Sequence, residues 1–121
     1  MKRRDTGMLG EKVAARYLQD KGYSIAATNF HCREGEIDII AEKDGTLVFV
    51  EVKTRRNHSF GAPEESVVPA KMVKLRTAAQ TYIQRMEVQP PPWRIDVVAI
   101  DIGTGDSASR IEHYENAVGE S

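Results

Sequence analysis

Every second position is apolar through residues 35–42 (Ile37, Ile39, Ala41) and again through residues 46–53 (Val48, Val50, Val52), on either side of Asp44-Gly45. A period of two predicts strands, and Asp-Gly predicts a two-residue type I′ turn, so this stretch is expected to be a β-hairpin. With that loop Lys43 lies opposite Thr46, which sets every other pair. Ile37 faces Val52, Ile39 faces Val50 and Ala41 faces Val48, an apolar face that must be core. On the other face Asp38 meets Glu51, Glu36 meets Lys53 and Ile40 meets Phe49. The Asp38 and Glu51 Cβ atoms would stand about 5 Å apart. Like charges across a ladder destabilise it, so Lys53 or a divalent cation is expected to offset the pair.

Helical spacing dominates elsewhere. In residues 6–21, Leu9, Gly10, Val13, Ala14, Tyr17 and Leu18 form an apolar stripe opposite Lys12, Arg16, Gln19 and Asp20. Thr6 suits an N-cap and Gly22 a stop. Glu11 projects between Leu18 and Ala15, on the side that packs. A lone buried carboxylate is costly, so Glu11 is paired, hydrogen-bonded or metal-linked, unless it is a first-turn glutamate favoured by the helix dipole. Residues 24–30 read as a strand. Residues 54–66 have loop composition and leave the hairpin directly, as a substrate clamp would. Pro69 suits the first turn of a helix reaching about residue 86, with Met72, Leu75, Ala79, Tyr82 and Met86 inward and Lys71, Lys74, Thr81 and Arg85 outward. Pro90-Pro91-Pro92 is a stiff spacer. Residues 95–102 read as a buried strand and residues 110–114 as an edge strand. The order αβββαββ predicts an α+β sandwich around one mixed sheet, a single domain over residues 1–121.

Composition narrows the class. The chain has 121 residues, 40% hydrophobic and 29% charged, as in ordinary globular domains. It has no apolar run of membrane-spanning length, so no membrane partner is expected. Cys32 is the sole cysteine, which excludes an internal disulfide and a cysteine metal site and fits a reducing cytoplasm. The net charge of −1 hides a segregation. From Lys53 to Arg85, Lys53, Arg55, Arg56, Lys71, Lys74, Arg76 and Arg85 stand against only Glu64 and Glu65, and from Met86 onward the chain is acidic. Arg55, Arg56, Lys71 and Lys74 are therefore candidate phosphate contacts, or else solvated surface charges.

Two carboxylates on neighbouring strands can hold a hard cation through oxygen. A lysine on the same face can orient a water or neutralise charge on phosphorus. Such a set favours phosphodiester hydrolysis. Phosphate-loop, dinucleotide and nucleophile-elbow motifs are absent from the sequence.

Asp38 followed by Glu51-x-Lys53, with a glutamate on the first helix, resembles the PD-(D/E)XK nuclease pattern. The whole chain resembles the YraN family of small bacterial proteins, predicted to be endonucleases and distantly similar to archaeal Holliday-junction resolvases. Gly10-Glu11, Asn29-Phe30, the segments around Asp38 and Glu51, Asp96-Val97-Val98, Ile111-Glu112-His113 and Asn116-Ala117 carry that resemblance. It implies a restriction-endonuclease-like core in which Asp38, Glu51 and the backbone carbonyl of Val52 ligate Mg²⁺ or Mn²⁺. Lys53 would activate water or stabilise the transition state, and Glu11 would complete the site. Branched DNA is the implied substrate, and a two-fold homodimer would place paired cuts. The proline that usually precedes the first motif carboxylate is replaced by Ile37, and the helical Gln-x-x-x-Tyr motif is missing. The alternative is a non-catalytic module on the same fold that binds nucleic acid or a protein partner.

Overall fold

Asp44 and Gly45 both take positive φ, 51° and 79°, the pair of left-handed residues a type I′ turn requires. The turn joins β2 (Gly35–Lys43) to β3 (Thr46–Arg55), and the ladder pairs Lys43 with Thr46, Ala41 with Val48, Ile40 with Phe49 and Ile39 with Val50. This is the expected register. The structure, a computed structural model, describes residues 3–56, 69–103, 105 and 107–117. Around the hairpin lie α1 (Arg3–Asp20), β1 (Ser24–Cys32), α2 (Pro69–Gln84), β4 (Trp93–Ile102) and β5 (Ala108–Tyr114). The element order matches the prediction. The first helix runs upstream to Arg3, so Thr6 does not cap it. Gly22, at φ 94°, ends that helix as expected. Residues 54 and 55 extend β3, and the rest of the predicted clamp, 57–66, lies outside the described residues.

The sheet order is β1-β2-β3-β4-β5, antiparallel except where β3 and β4 run parallel. A parallel neighbour needs a long crossover, and α2 lies within it. The chain is therefore mixed α+β, with a helix against each sheet face. On one face Ala14 and Leu18 of α1 pack on Ile39, Ala41, Val48, Val50, Val98 and Ile100. On the other Leu75, Ala78 and Ala79 of α2 cover Ile37, Ile40, Phe49 and Ile95. Both faces of the hairpin are thus core. Phe49 meets Tyr82 and Trp93 edge-on, which assigns Trp93 to packing at the rim. No helix among the described residues is long and apolar enough to cross a membrane.

The hairpin departs from expectation at its open end. The β1–β2 ladder pairs Thr28 with Ile39 and Phe30 with Ile37, while Asn29, at φ 53°, and Asp38 stand outside it. Asp38 Oδ2 instead accepts the backbone N–H of Val52 at 2.8 Å. A side chain thus takes a donor that a continued ladder would have used. Two predicted pairs are corrected. Ile37 packs on the α2 side with Ile40 rather than facing Val52, and Glu36 pairs with His31 at 3.1 Å rather than with Lys53.

Candidate active site

The broken ladder matters because it turns Asp38 into a cleft. The cleft has a volume of about 540 Å³ and is lined by Glu11, Asp38, Glu51, Lys53 and Lys71, with Arg55 and Arg56 at the end of β3. Every predicted catalytic residue is present there. Glu51 is 4% exposed and shares a hydrogen bond with Asp38. Burial, then the charge of Glu51, push the Asp38 carboxyl up to about 7, against the opposing pull of the Val52 N–H. Glu51 is compensated from two elements. Its Oε2 lies 2.9 Å from Lys71 Nζ and 3.4 Å from Lys53 Nζ. Burial alone would lower the Lys71 pKa, but the hydrogen bond and charge of Glu51 outweigh it and hold it above its ordinary value.

Glu11 reaches the cleft because Gly10 lets α1 sit on β3. A Cβ built on Gly10 would collide with Thr54 Oγ1 and lie 2.9 Å from Thr54 Cβ. Burial raises the Glu11 pKa, a hydrogen bond from Asn29 opposes that rise, and the charges of Glu36 and Glu51 add to it. Gly10→Ala is expected to destabilise the fold by about 1–3 kcal/mol, the usual cost of overpacking a filled contact. Chemical denaturation of the two proteins checks this, and an unchanged midpoint would mean that α1 does not depend on the close approach.

The basic candidates divide. Lys71 belongs to the carboxylate site itself, whereas Lys74 lines an adjoining cavity of about 440 Å³ with His31 and Glu36. Arg55 Nε lies 3.6 Å from the buried Asp101, so its guanidinium serves the sheet as well as the cleft wall. Sequence reasoning missed two contacts of the site: the hydrogen bond of Asn29 to Glu11, and the pairing of Lys71, named there only as a phosphate contact, with Glu51. The Asn29-Phe30 resemblance was the only signal for the first. Helical periodicity, which places Lys71 outward, carried none for the second.

Among the described residues no three His, Cys, Asp or Glu side chains form a metal cage. The donor set still suits one ion class. The Asp38 and Glu51 carboxylates could hold a cation that keeps most of its waters, as Mg²⁺ readily does.

A sequence profile described as uncharacterised protein family UPF0102 matches residues 10–100. The chain belongs to the UPF0102 family. A UPF0102 protein of Dehalococcoides mccartyi is 45% identical over 118 residues, covering 98% of this chain and 96% of its own. One from Syntrophomonas wolfei is 47% identical over 114 residues, covering 94% and 97%. One from Symbiobacterium thermophilum is 46% identical over 114 residues, covering 94% and 96%. The UPF0102 match spans Glu11, Asp38, Glu51, Lys53 and Lys71. The family description names no reaction, so the chemistry rests on the site.

Proposed function

We propose that this UPF0102 chain is a metal-dependent endonuclease of the PD-(D/E)XK type, with a restriction-endonuclease-like core. The observation that carries the reading is the buried Glu51 set against the half-buried Asp38 in a cleft that also holds Lys53 and Glu11. An acid held against a buried acid costs stability, and a carboxyl shifted as Asp38 is, in a cleft, marks a candidate working site. Asp38 and Glu51, with the Val52 carbonyl, are the residues that would hold Mg²⁺ or Mn²⁺. Once bound, the ion supplies Lewis-acid polarisation of a phosphoryl oxygen and acidifies a bound water.

The protein's own groups do the rest. Lys53, one-fifth exposed on rigid β3, presents its ammonium beside Glu51, where it can orient a water or neutralise charge developing on phosphorus. Glu11, tied to Asn29, offers a carboxyl of raised pKa that can exchange a proton with that water. Arg56 lies at the cleft wall, where a phosphodiester backbone would pass. DNA is the proposed substrate class, branched DNA being the form suggested by likeness to junction resolvases.

Labelled linear, flapped and four-way DNA incubated with Mn²⁺ tests the reading. Cleavage is expected with metal, lost on chelation and reduced at least about 100-fold by Glu51→Gln. Cleavage at full rate by Glu51→Gln would remove this cleft from the chemistry.

A second reading has one observation in its favour. Glu51 already carries two ammonium partners, which would suit a non-catalytic binding module. That module predicts no Mn²⁺ binding at the carboxylate pair, with salt-dependent DNA binding that Lys71→Ala and Lys74→Ala weaken.

A further inference from the structure

Two lysines address the same oxygen of Glu51, and they differ in how they are held. Lys53 rides on β3 itself with one-fifth of its side chain exposed, while Lys71 arrives from the first turn of α2 with 40% exposed. Lys71 also lines both cavities, the carboxylate cleft and the adjoining one with His31, Arg33 and Lys74. A long flexible stem rooted at the wall between two cavities can deliver its charge to either. We propose that Lys71 is a built-in competitor for the divalent cation, holding Glu51 until the ion takes that oxygen and then turning toward the adjoining cavity to meet the nucleic-acid backbone.

The inference rests on the metal-dependent reading above and adds a coupling to it. A cation entering beside Glu51 meets an ammonium 2.9 Å from the oxygen it needs, so ion and lysine exclude one another there. The ion's arrival frees a positive charge for the adjoining cavity, where Arg33 and Lys74 stand with Glu34 and Glu36, so a turned Lys71 tips that wall to net positive and offers a phosphate three cations. Linkage then works in both directions. A polyanion that draws Lys71 away leaves Glu51 open, and so strengthens the hold on the ion.

Calorimetric titration with Mn²⁺ at pH 8, without any cleavage assay, tests this. Lys71→Met keeps the stem and removes the charge, and is expected to bind Mn²⁺ about three- to tenfold more tightly than wild type. Lys71→Arg keeps the charge and should stay near wild-type affinity. A short DNA single strand should strengthen Mn²⁺ binding more in wild type than in Lys71→Met. Equal or weaker binding by Lys71→Met, or a gain shared by Lys71→Arg, would overturn the inference while leaving the metal site standing. Binding by neither wild type nor Lys71→Met would remove the metal reading and this inference with it. Circular dichroism of each variant confirms that the fold is intact.

Discussion

At pH 8 and without metal, the Asp38→Asn variant is expected to be more stable than wild type by about 2–4 kcal/mol, and at pH 4 to be nearly equal to it. The sign follows from the direction of the shift. Burial and Glu51 raise the folded carboxyl from 3.8 to about 7. The folded state therefore binds the proton more tightly than the unfolded chain does. Between those two values the unfolded chain ionises first, so wild type loses stability as pH rises, and the full penalty stands above about 7. Asparagine never ionises and escapes it. Its Oδ1 can still accept the Val52 N–H that Asp38 takes at 2.8 Å, and its amide can donate to Glu51, so the ladder break is preserved.

The same substitution is expected to abolish Mn²⁺-dependent cleavage, since a neutral amide is a poor ligand for a hard cation. Added Mn²⁺ should stabilise wild type at pH 8 and leave Asp38→Asn unmoved. Urea unfolding at both pH values, with and without Mn²⁺, reads all three effects. An Asp38→Asn protein no more stable than wild type at pH 8 would mean that the carboxylate pair carries no strain. Equal Mn²⁺ stabilisation of the two would mean that Asp38 holds no ion. Gain of stability with loss of activity is the signature of a site built against the interest of the fold.

The parts of this site legible from sequence are those governed by local rules. Asp44-Gly45 set the hairpin register, because few turns other than I′ join strands across two residues with positive φ. That register brought Asp38, Glu51 and Lys53 together. Helical periodicity found the α1 stripe, and Glu11 stood out because it broke that stripe.

What stayed hidden depends on groups far apart in the chain. The ladder was expected to continue past Ile39, but Asp38 accepts the Val52 N–H and the pairing stops, so Ile37 changes face and Glu36 meets His31. No periodicity reports a side chain taking a backbone partner's place. Lys71 sat on the outward face of α2 by its spacing, and only the docking of α2 on β2 turns that edge toward Glu51. Gly10 read as one more small residue in a stripe, and its contact with Thr54 appears only when helix and strand are brought together.

Asp96→Ala is expected to cost about 3–5 kcal/mol and to leave the cleft chemistry formally complete. Asp96 enters the sequence only as part of a segment that carries the family resemblance, and the structure makes it the acceptor for three donors. Fully buried, it accepts from Arg94 Nε at 3.0 Å, from His113 Nε2 at 2.7 Å and from the Asn116 backbone N–H at 2.9 Å. Arg94 in turn donates to Tyr23 at 2.9 Å, and the rings of Tyr17 and Tyr23 close over His113. Burial alone would raise the Asp96 carboxyl, yet His113, Arg94 and Asn116 together hold it below the usual carboxylate range. Its stabilisation is therefore present above about 3.8 and is lost as pH falls through the lower folded value. Alanine leaves a guanidinium, a nearly buried imidazole and a backbone N–H without their shared acceptor, which is why the cost exceeds that of one hydrogen bond. Asp96→Asn keeps the shape and should lose less, about 1–3 kcal/mol. Urea unfolding at pH 7 ranks the two. An Asp96→Ala protein as stable as wild type would show that α1, β4 and β5 are joined by apolar packing alone, and that the buried charges beneath Tyr17 and Tyr23 answer to something other than stability.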